Sequence, residues 1–78
     1  REEICQRLID VIDKSVDSEE DRNEVKNVSY ELKEANTKSS IRSAYNNLTT
    51  VMSNHITIGT AILTSNILPF INQLFMLN

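Results

Sequence analysis

Residues 4–16, ICQRLIDVIDKSV, carry the clearest folding signal in this sequence. Large apolar side chains recur every four positions, at Ile4, Leu8, Ile12 and Val16. A half-buried strand would alternate apolar and polar residues, so this spacing indicates an amphipathic helix with one apolar face. Two glutamates precede the stretch, where negative charge suits the start of a helix. The pattern predicts a first helix over about residues 2–16.

The next segment has both a start signal and a seam of apolar residues. Ser18 followed by Asp21 approximates a capping box, in which a side-chain oxygen accepts a hydrogen bond from a free backbone N–H. Apolar residues then follow at spacings of three and four, at Val25, Val28, Leu32 and Ala35. This predicts a second helix over about residues 18–35, with Asn36 and Thr37 offering a stop.

A third helix is predicted over about residues 39–55, with Ser39 or Ser40 as its cap. A fourth is predicted over about residues 57–77, with a kink or break near residues 66–69, because Pro69 lacks a backbone N–H and disfavours helical geometry in the preceding residue. Gly59 lies among β-branched residues and weakens the helix around it. The pattern leaves open whether helices three and four are continuous.

These segments predict an all-α protein: one small domain over residues 1–78, built as a bundle of three to four helices. No segment has the alternation and turn residues of a β-hairpin. The residues expected to be largely buried are Leu8, Ile12, Val25, Val28, Leu32, Leu48, Met52, Leu63 and Ile67. The chain begins with Arg1 and not with Met, so we expect a fragment or module of a longer protein.

Composition argues against several functions. The 78 residues include 11 acidic and 8 basic side chains, and this net charge of −3 disfavours nucleic-acid binding. One Cys rules out an internal disulfide, and one Gly rules out a glycine-rich phosphate loop. The residues indicate no bound cofactor. We expect a cytoplasmic protein, which would be membrane-associated if its apolar segments contact lipid.

The residues that could act as catalytic groups or metal ligands are interpreted as ordinary core or surface residues. Cys5 and His55 lie on apolar stripes, which favours a buried thiol and a core or half-buried histidine bonded to a backbone carbonyl. A pH-sensitive contact is the alternative for the histidine. Asp10, Asp13 and Asp17 fall on one side of the first helix and are interpreted as a solvated face. We therefore expect no catalytic residues, no enzyme activity and no metal site.

The distribution of charge is the most informative feature of the chain. All 19 charged side chains lie within residues 1–42, and residues 43–78 contain none apart from His55. A solvated helix face normally carries Lys and Glu. The segment is interpreted either as a buried central helix or as a surface that meets a partner or a bilayer.

Two apolar stripes run along residues 56–77, and the first three helices can cover only one. The first stripe consists of Ile56, Leu63, Phe70 and Leu77, spaced by sevens, together with Ile67 and Leu74. The second stripe consists of Ile62, Leu68, Ile71 and Phe75. It would leave several large side chains in water, where a contiguous apolar patch favours association. The residues predicted to form the interface are Ile56, Ile62, Leu63, Ile67, Leu68, Phe70, Ile71, Leu74, Phe75 and Leu77.

The function predicted from these features is a non-enzymatic helical interaction or oligomerisation module. Its partner would be a second copy or another protein domain, so the chain would be an oligomer or part of a larger chain. The first alternative is a membrane-active or pore-forming segment, because residues 56–77 could reach across a bilayer. The second is an antitoxin or immunity-type protein that caps a partner.

Overall fold

A computed structural model describes the backbone of residues 2–76 and the side chains of residues 2–73. These residues form five helices and no strand, which confirms the prediction of a small all-α bundle. The helices are α1 (Glu2–Ser15), α2 (Glu19–Glu34), α3 (Lys38–Asn54), α4 (Ile56–Thr64) and α5 (Leu68–Met76). The segment predicted as a fourth helix is thus two short helices.

The connections between helices are short, and each helix packs on the one before it up to α4. Three residues join α1 to α2, three join α2 to α3, and His55 alone separates α3 from α4. Helix α4 also packs against α1, and α5 contacts α3. The bundle is therefore closed by contact between its first and fourth helices.

Side chains cap the second and third helices. The Ser18 hydroxyl oxygen accepts a hydrogen bond from the Asp21 backbone N–H at 3.3 Å, at the site where the sequence indicated a capping box. At α3 the cap is Thr37, whose hydroxyl accepts from the Ser40 N–H at 3.0 Å while the Ser40 hydroxyl accepts from the Thr37 N–H at 3.0 Å. The prediction of Ser39 or Ser40 as this cap is wrong, because Ser40 is the third residue of a reciprocal capping box.

The core takes side chains from all five helices and from the connection before α5. Seven of the nine residues predicted to be buried are buried: Leu8, Ile12, Val25, Val28, Leu32, Leu48 and Ile67. Met52 is half-buried against this core. Leu63 is 59% exposed, so its prediction is wrong; the buried face of α4 consists of Ile58, Gly59, Ala61 and Ile62.

The chain leaves the helical path between α4 and α5 at residues 65–67. Asn66 has φ of 60°, in the left-handed region that asparagine tolerates better than most residues. Pro69 lies in the first turn of α5, where its missing N–H breaks no intrahelical hydrogen bond. Pro69 is therefore compatible with α5, which begins as a new helix after the break.

Candidate interaction surface

The structure separates the ten residues predicted as an interface. Three are buried, namely Ile62, Ile67 and Ile71, and Leu68 is half-buried. Three are exposed, namely Ile56, Leu63 and Phe70. The other three, Leu74, Phe75 and Leu77, lie outside the residues whose side chains the structure describes.

Three residues of the first stripe, those whose side chains the structure describes at the spacing of seven, face water. Ile56 is 84% exposed, Leu63 is 59% exposed and Phe70 is 44% exposed. Ile62 and Ile71 belong to the second stripe, which was expected to stay in water, but they are 0% and 1% exposed. Ile67 of the first stripe is buried as well, so burial does not follow the two stripes, because the breaks at His55 and at residues 65–67 reset the rotation of each short helix.

The exposed residues of α4 form a continuous uncharged surface with the end of α3. Ile56, Thr60 and Leu63 are spaced by four and three, so they share one face of the helix, and all three are exposed. Leu63 also lines a shallow depression with Thr49, Met52, Ser53 and Gly59. We call these exposed residues of α4, together with Thr49, Met52 and Ser53, the α4 surface.

Gly59 allows α4 to lie close against α3. A Cβ atom at this position would be 2.9 Å from the Met52 carbonyl oxygen, closer than a carbon and an oxygen can approach without a shift. In the sequence this glycine indicated only a weak point in a helix. In the structure its missing side chain lets the buried face of α4 meet the α3 backbone, and Ile56 and Leu63 consequently point outward.

His55 forms the junction that sets the direction of α4. With φ of −129° and ψ of 96° it is extended, ending α3 and preceding α4. Its ring Nε2 lies 2.7 Å from Glu24 Oε2, and its Nδ1 lies 3.4 Å from Asp21 Oδ1. The ring thus contacts two carboxylates of α2, which joins the junction to the first turns of α2 and departs from the expected bond to a backbone carbonyl.

Phe70 belongs to a different surface from Ile56 and Leu63. The Arg7 guanidinium of α1 lies 5.4 Å from the centroid of its ring, a distance typical of a cation–π contact. The ring also lines a cleft with Asp10, Lys14 and Asn66. Charged groups of α1 therefore border Phe70, whereas no Lys, Arg, Asp or Glu belongs to the α4 surface.

The thiol and the imidazole are held at opposite ends of α2. Cys5 is buried in a cluster with Leu32 and Ala35, near the last turn of that helix. His55 contacts Asp21 and Glu24 in its first two turns. A nucleophile and its base must lie within hydrogen-bond reach, so these two residues do not form a catalytic pair.

Within the part of the chain that the structure describes, no helix combines the length and apolar character needed to cross a membrane. Comparisons with protein-family models, curated proteins and solved structures found no match for this chain.

Proposed function

We propose that this chain is a non-enzymatic helical module that associates with a protein partner through the α4 surface. The observation that carries the proposal is the exposure of Ile56 at 84% and Leu63 at 59% on one face of one helix. Removing such side chains from water is favourable by about 25 cal/mol for each Å² of apolar area. A partner that covers this face would gain that free energy.

The absence of charge around these residues supports the proposal. Proteins usually place Lys or Glu beside exposed apolar residues, where charge maintains solubility and opposes aggregation. Residues 43–78 contain none of these residue types, and only His55 there can carry charge. Such a long segment without charge is not expected of a surface that remains in water. It is expected of a surface that a partner covers.

The distribution of charge favours a second copy of the chain as that partner. Every Asp, Glu, Lys and Arg lies in residues 1–42, so two α4 surfaces can meet while both charged halves face solvent. A two-fold arrangement would place the same face on both sides of the contact. Because that face is uncharged, the contact would bring no like charges together.

The proposal is tested by replacing Ile56 and Leu63 with aspartate in one chain. Both side chains are exposed, so the variant is expected to fold, as checked by circular dichroism. We expect the native chain to show a mass above that of the monomer in light scattering as its concentration rises, and the variant to remain a monomer. Tyr30→Asp is the matched control, since Tyr30 is 60% exposed but lies on α2.

Three results would contradict the proposal. The native chain could remain a monomer at millimolar concentration, or Tyr30→Asp could reduce self-association as much as the double variant does. The native chain could also bind lipid vesicles through Ile56 and Leu63 without forming oligomers. That last result would identify a membrane as the partner of this face.

A further inference from the structure

Three side chains capable of binding metals converge where the α3–α4 junction meets α2. Asp21 and Glu24 are three residues apart and so share one face of α2, and His55 faces them from the junction. One potential ligand atom from each residue lies within 4.8 Å of the other two. All three residues are partly exposed, so solvent and ions can reach them.

The contact with Glu24 determines which ring nitrogen of His55 carries hydrogen. Nε2 lies 2.7 Å from Glu24 Oε2, and a carboxylate oxygen can only accept, so Nε2–H is the donor. In a neutral ring the other nitrogen, Nδ1, then has a lone pair and no hydrogen. That lone pair is close to Asp21 Oδ1, which is also an acceptor. Two acceptors in such proximity favour a cation between them.

The separation of these two atoms matches that of two ligands on one metal ion. Nδ1 and Oδ1 are 3.4 Å apart, beyond the usual N–H···O range of about 2.7–3.2 Å. Two ligands of a tetrahedral zinc ion, each about 2.0–2.1 Å from the metal, are about 3.4 Å apart. The side chains therefore already stand at the spacing that zinc requires of a ligand pair.

We infer that His55 and Asp21 bind a divalent transition metal such as Zn²⁺, and that Glu24 orients the ring by accepting from Nε2–H. Imidazole with carboxylate suits zinc, whereas Mg²⁺ and Ca²⁺ prefer ligand sets made only of oxygen. A carboxylate that holds the second nitrogen of a metal-binding histidine is a recurrent arrangement. The remaining positions on the metal are open to water.

The nearest basic side chain in the sequence does not compete for this position. Arg22 directs its guanidinium to the carbonyl oxygens of Val16 and Asp17, at 2.8 Å each. No metal site is expected from the sequence, in which His55 is distant from both carboxylates. Only the packing of the junction on α2 brings the three side chains together.

The test is calorimetric titration of ZnCl₂ into the full chain after treatment with a chelator. We expect saturable binding of one zinc per chain, and its loss in both His55→Ala and Asp21→Asn. Glu24→Gln should weaken binding by about 10- to 100-fold, as for other residues that orient a metal ligand. Asp13→Asn is the control, because Asp13 is an exposed carboxylate that pairs with Lys26, and it should bind zinc as the native chain does.

The inference is overturned if the native chain shows no saturable zinc binding, as it would if a proton occupied the gap. It is also overturned if Asp21→Asn keeps native affinity, or if Mg²⁺ binds as tightly as Zn²⁺, which would indicate a general acidic patch. Circular dichroism of each variant establishes that it is folded. Should His55→Ala fail to fold, Asp21→Asn decides the question, because its side chain lies at the protein surface and an amide is a close replacement.

Discussion

The first three helices and the last two are stabilised in different ways. Helices α1, α2 and α3 have 14, 16 and 17 residues, and side chains cap two of them. Helices α4 and α5 have nine residues each and contain no charged side chain, and the residue before α4 makes no capping hydrogen bond with its side chain. Helices this short are unstable alone in water, so α4 and α5 depend on packing against the others.

Length, capping and surface charge thus distinguish the first three helices from the last two, although both groups share one core. The early helices carry their own start signals, apolar faces and surface charges. Helix α4 is instead held by the buried face around Ile62, by the close approach at Gly59 and by the His55 junction. The following predictions measure how far its stability depends on those contacts.

The largest effect should come from truncating the buried face of α4. Ile62 is 0% exposed, and Ile62→Ala should lower the free energy of unfolding by about 2–5 kcal/mol, the range for large-to-small changes in a core. Leu63→Ala is the matched control: at a concentration where the chain is a monomer it should cost less than about 0.5 kcal/mol, because Leu63 is 59% exposed. Chemical denaturation of both variants measures the difference, and similar costs would show that the assigned face is wrong.

Leu48→Ala makes the corresponding change in α3. Leu48 is also 0% exposed, so this substitution should likewise cost about 2–5 kcal/mol in chemical denaturation. Equal costs at Leu48 and Ile62 would show that α4 unfolds together with the early helices. A second, earlier transition in the Ile62→Ala variant would instead show that α4 is released separately.

The next effect concerns the close approach of α4 to α3. Gly59→Ala should destabilise the fold by about 1–3 kcal/mol, the range for overpacking, because the new methyl group would meet the Met52 carbonyl oxygen at 2.9 Å. In an isolated helix the same change would stabilise by about 1 kcal/mol. The sign of the change in thermal unfolding therefore tests the contact, and Thr60→Ala, at an exposed position, supplies the baseline.

A smaller effect is expected at the cap of α3. The Thr37 hydroxyl takes part in a reciprocal capping box with Ser40, so Thr37→Ala should cost about 1 kcal/mol. Thr37→Ser keeps a hydroxyl and should preserve most of the stability. If both variants lost the same amount in urea denaturation, the cap would not be the cause.

The smallest effect should come from a surface ion pair. Lys26 Nζ lies 3.6 Å from Asp13 Oδ1, and both side chains are more than 40% exposed, so Lys26→Ala should change stability by less than about 0.5 kcal/mol. That change should shrink further in concentrated salt. A loss above 1 kcal/mol that persists in salt would show that the aliphatic part of Lys26 packs against the bundle.

The sequence predicts the helical class well because each early helix carries a period close to 3.6 and a recognisable start. It predicts the burial of Leu8, Ile12 and Leu48 for the same reason. It does not predict which face of α4 is buried, since Ile58 with Ile62 and Ile56 with Leu63 are equally apolar. That choice depends on where the helix breaks and on how closely Gly59 approaches α3.

The contacts of His55 could not be predicted from the sequence for a related reason, because they too depend on where a helix ends. Its place at the end of an apolar stripe indicated a histidine in or near the core. Its partners Asp21 and Glu24 lie at the start of α2, far from His55 in the chain. The sequence leaves open whether α3 and α4 are continuous. The extended backbone of His55 between them is therefore known only from the structure.

The short connections also have a consequence for how the chain folds. Successive helices as far as α4 meet across loops of one to three residues, so most contacts form between segments that are near in sequence. Proteins with such local contacts reach the native state in microseconds to milliseconds. The contact between α1 and α4 is the main exception, because α2 and α3 separate these two helices in the chain. We expect that step to limit the folding rate, so changes at Ile62 should slow folding more than changes at Leu32.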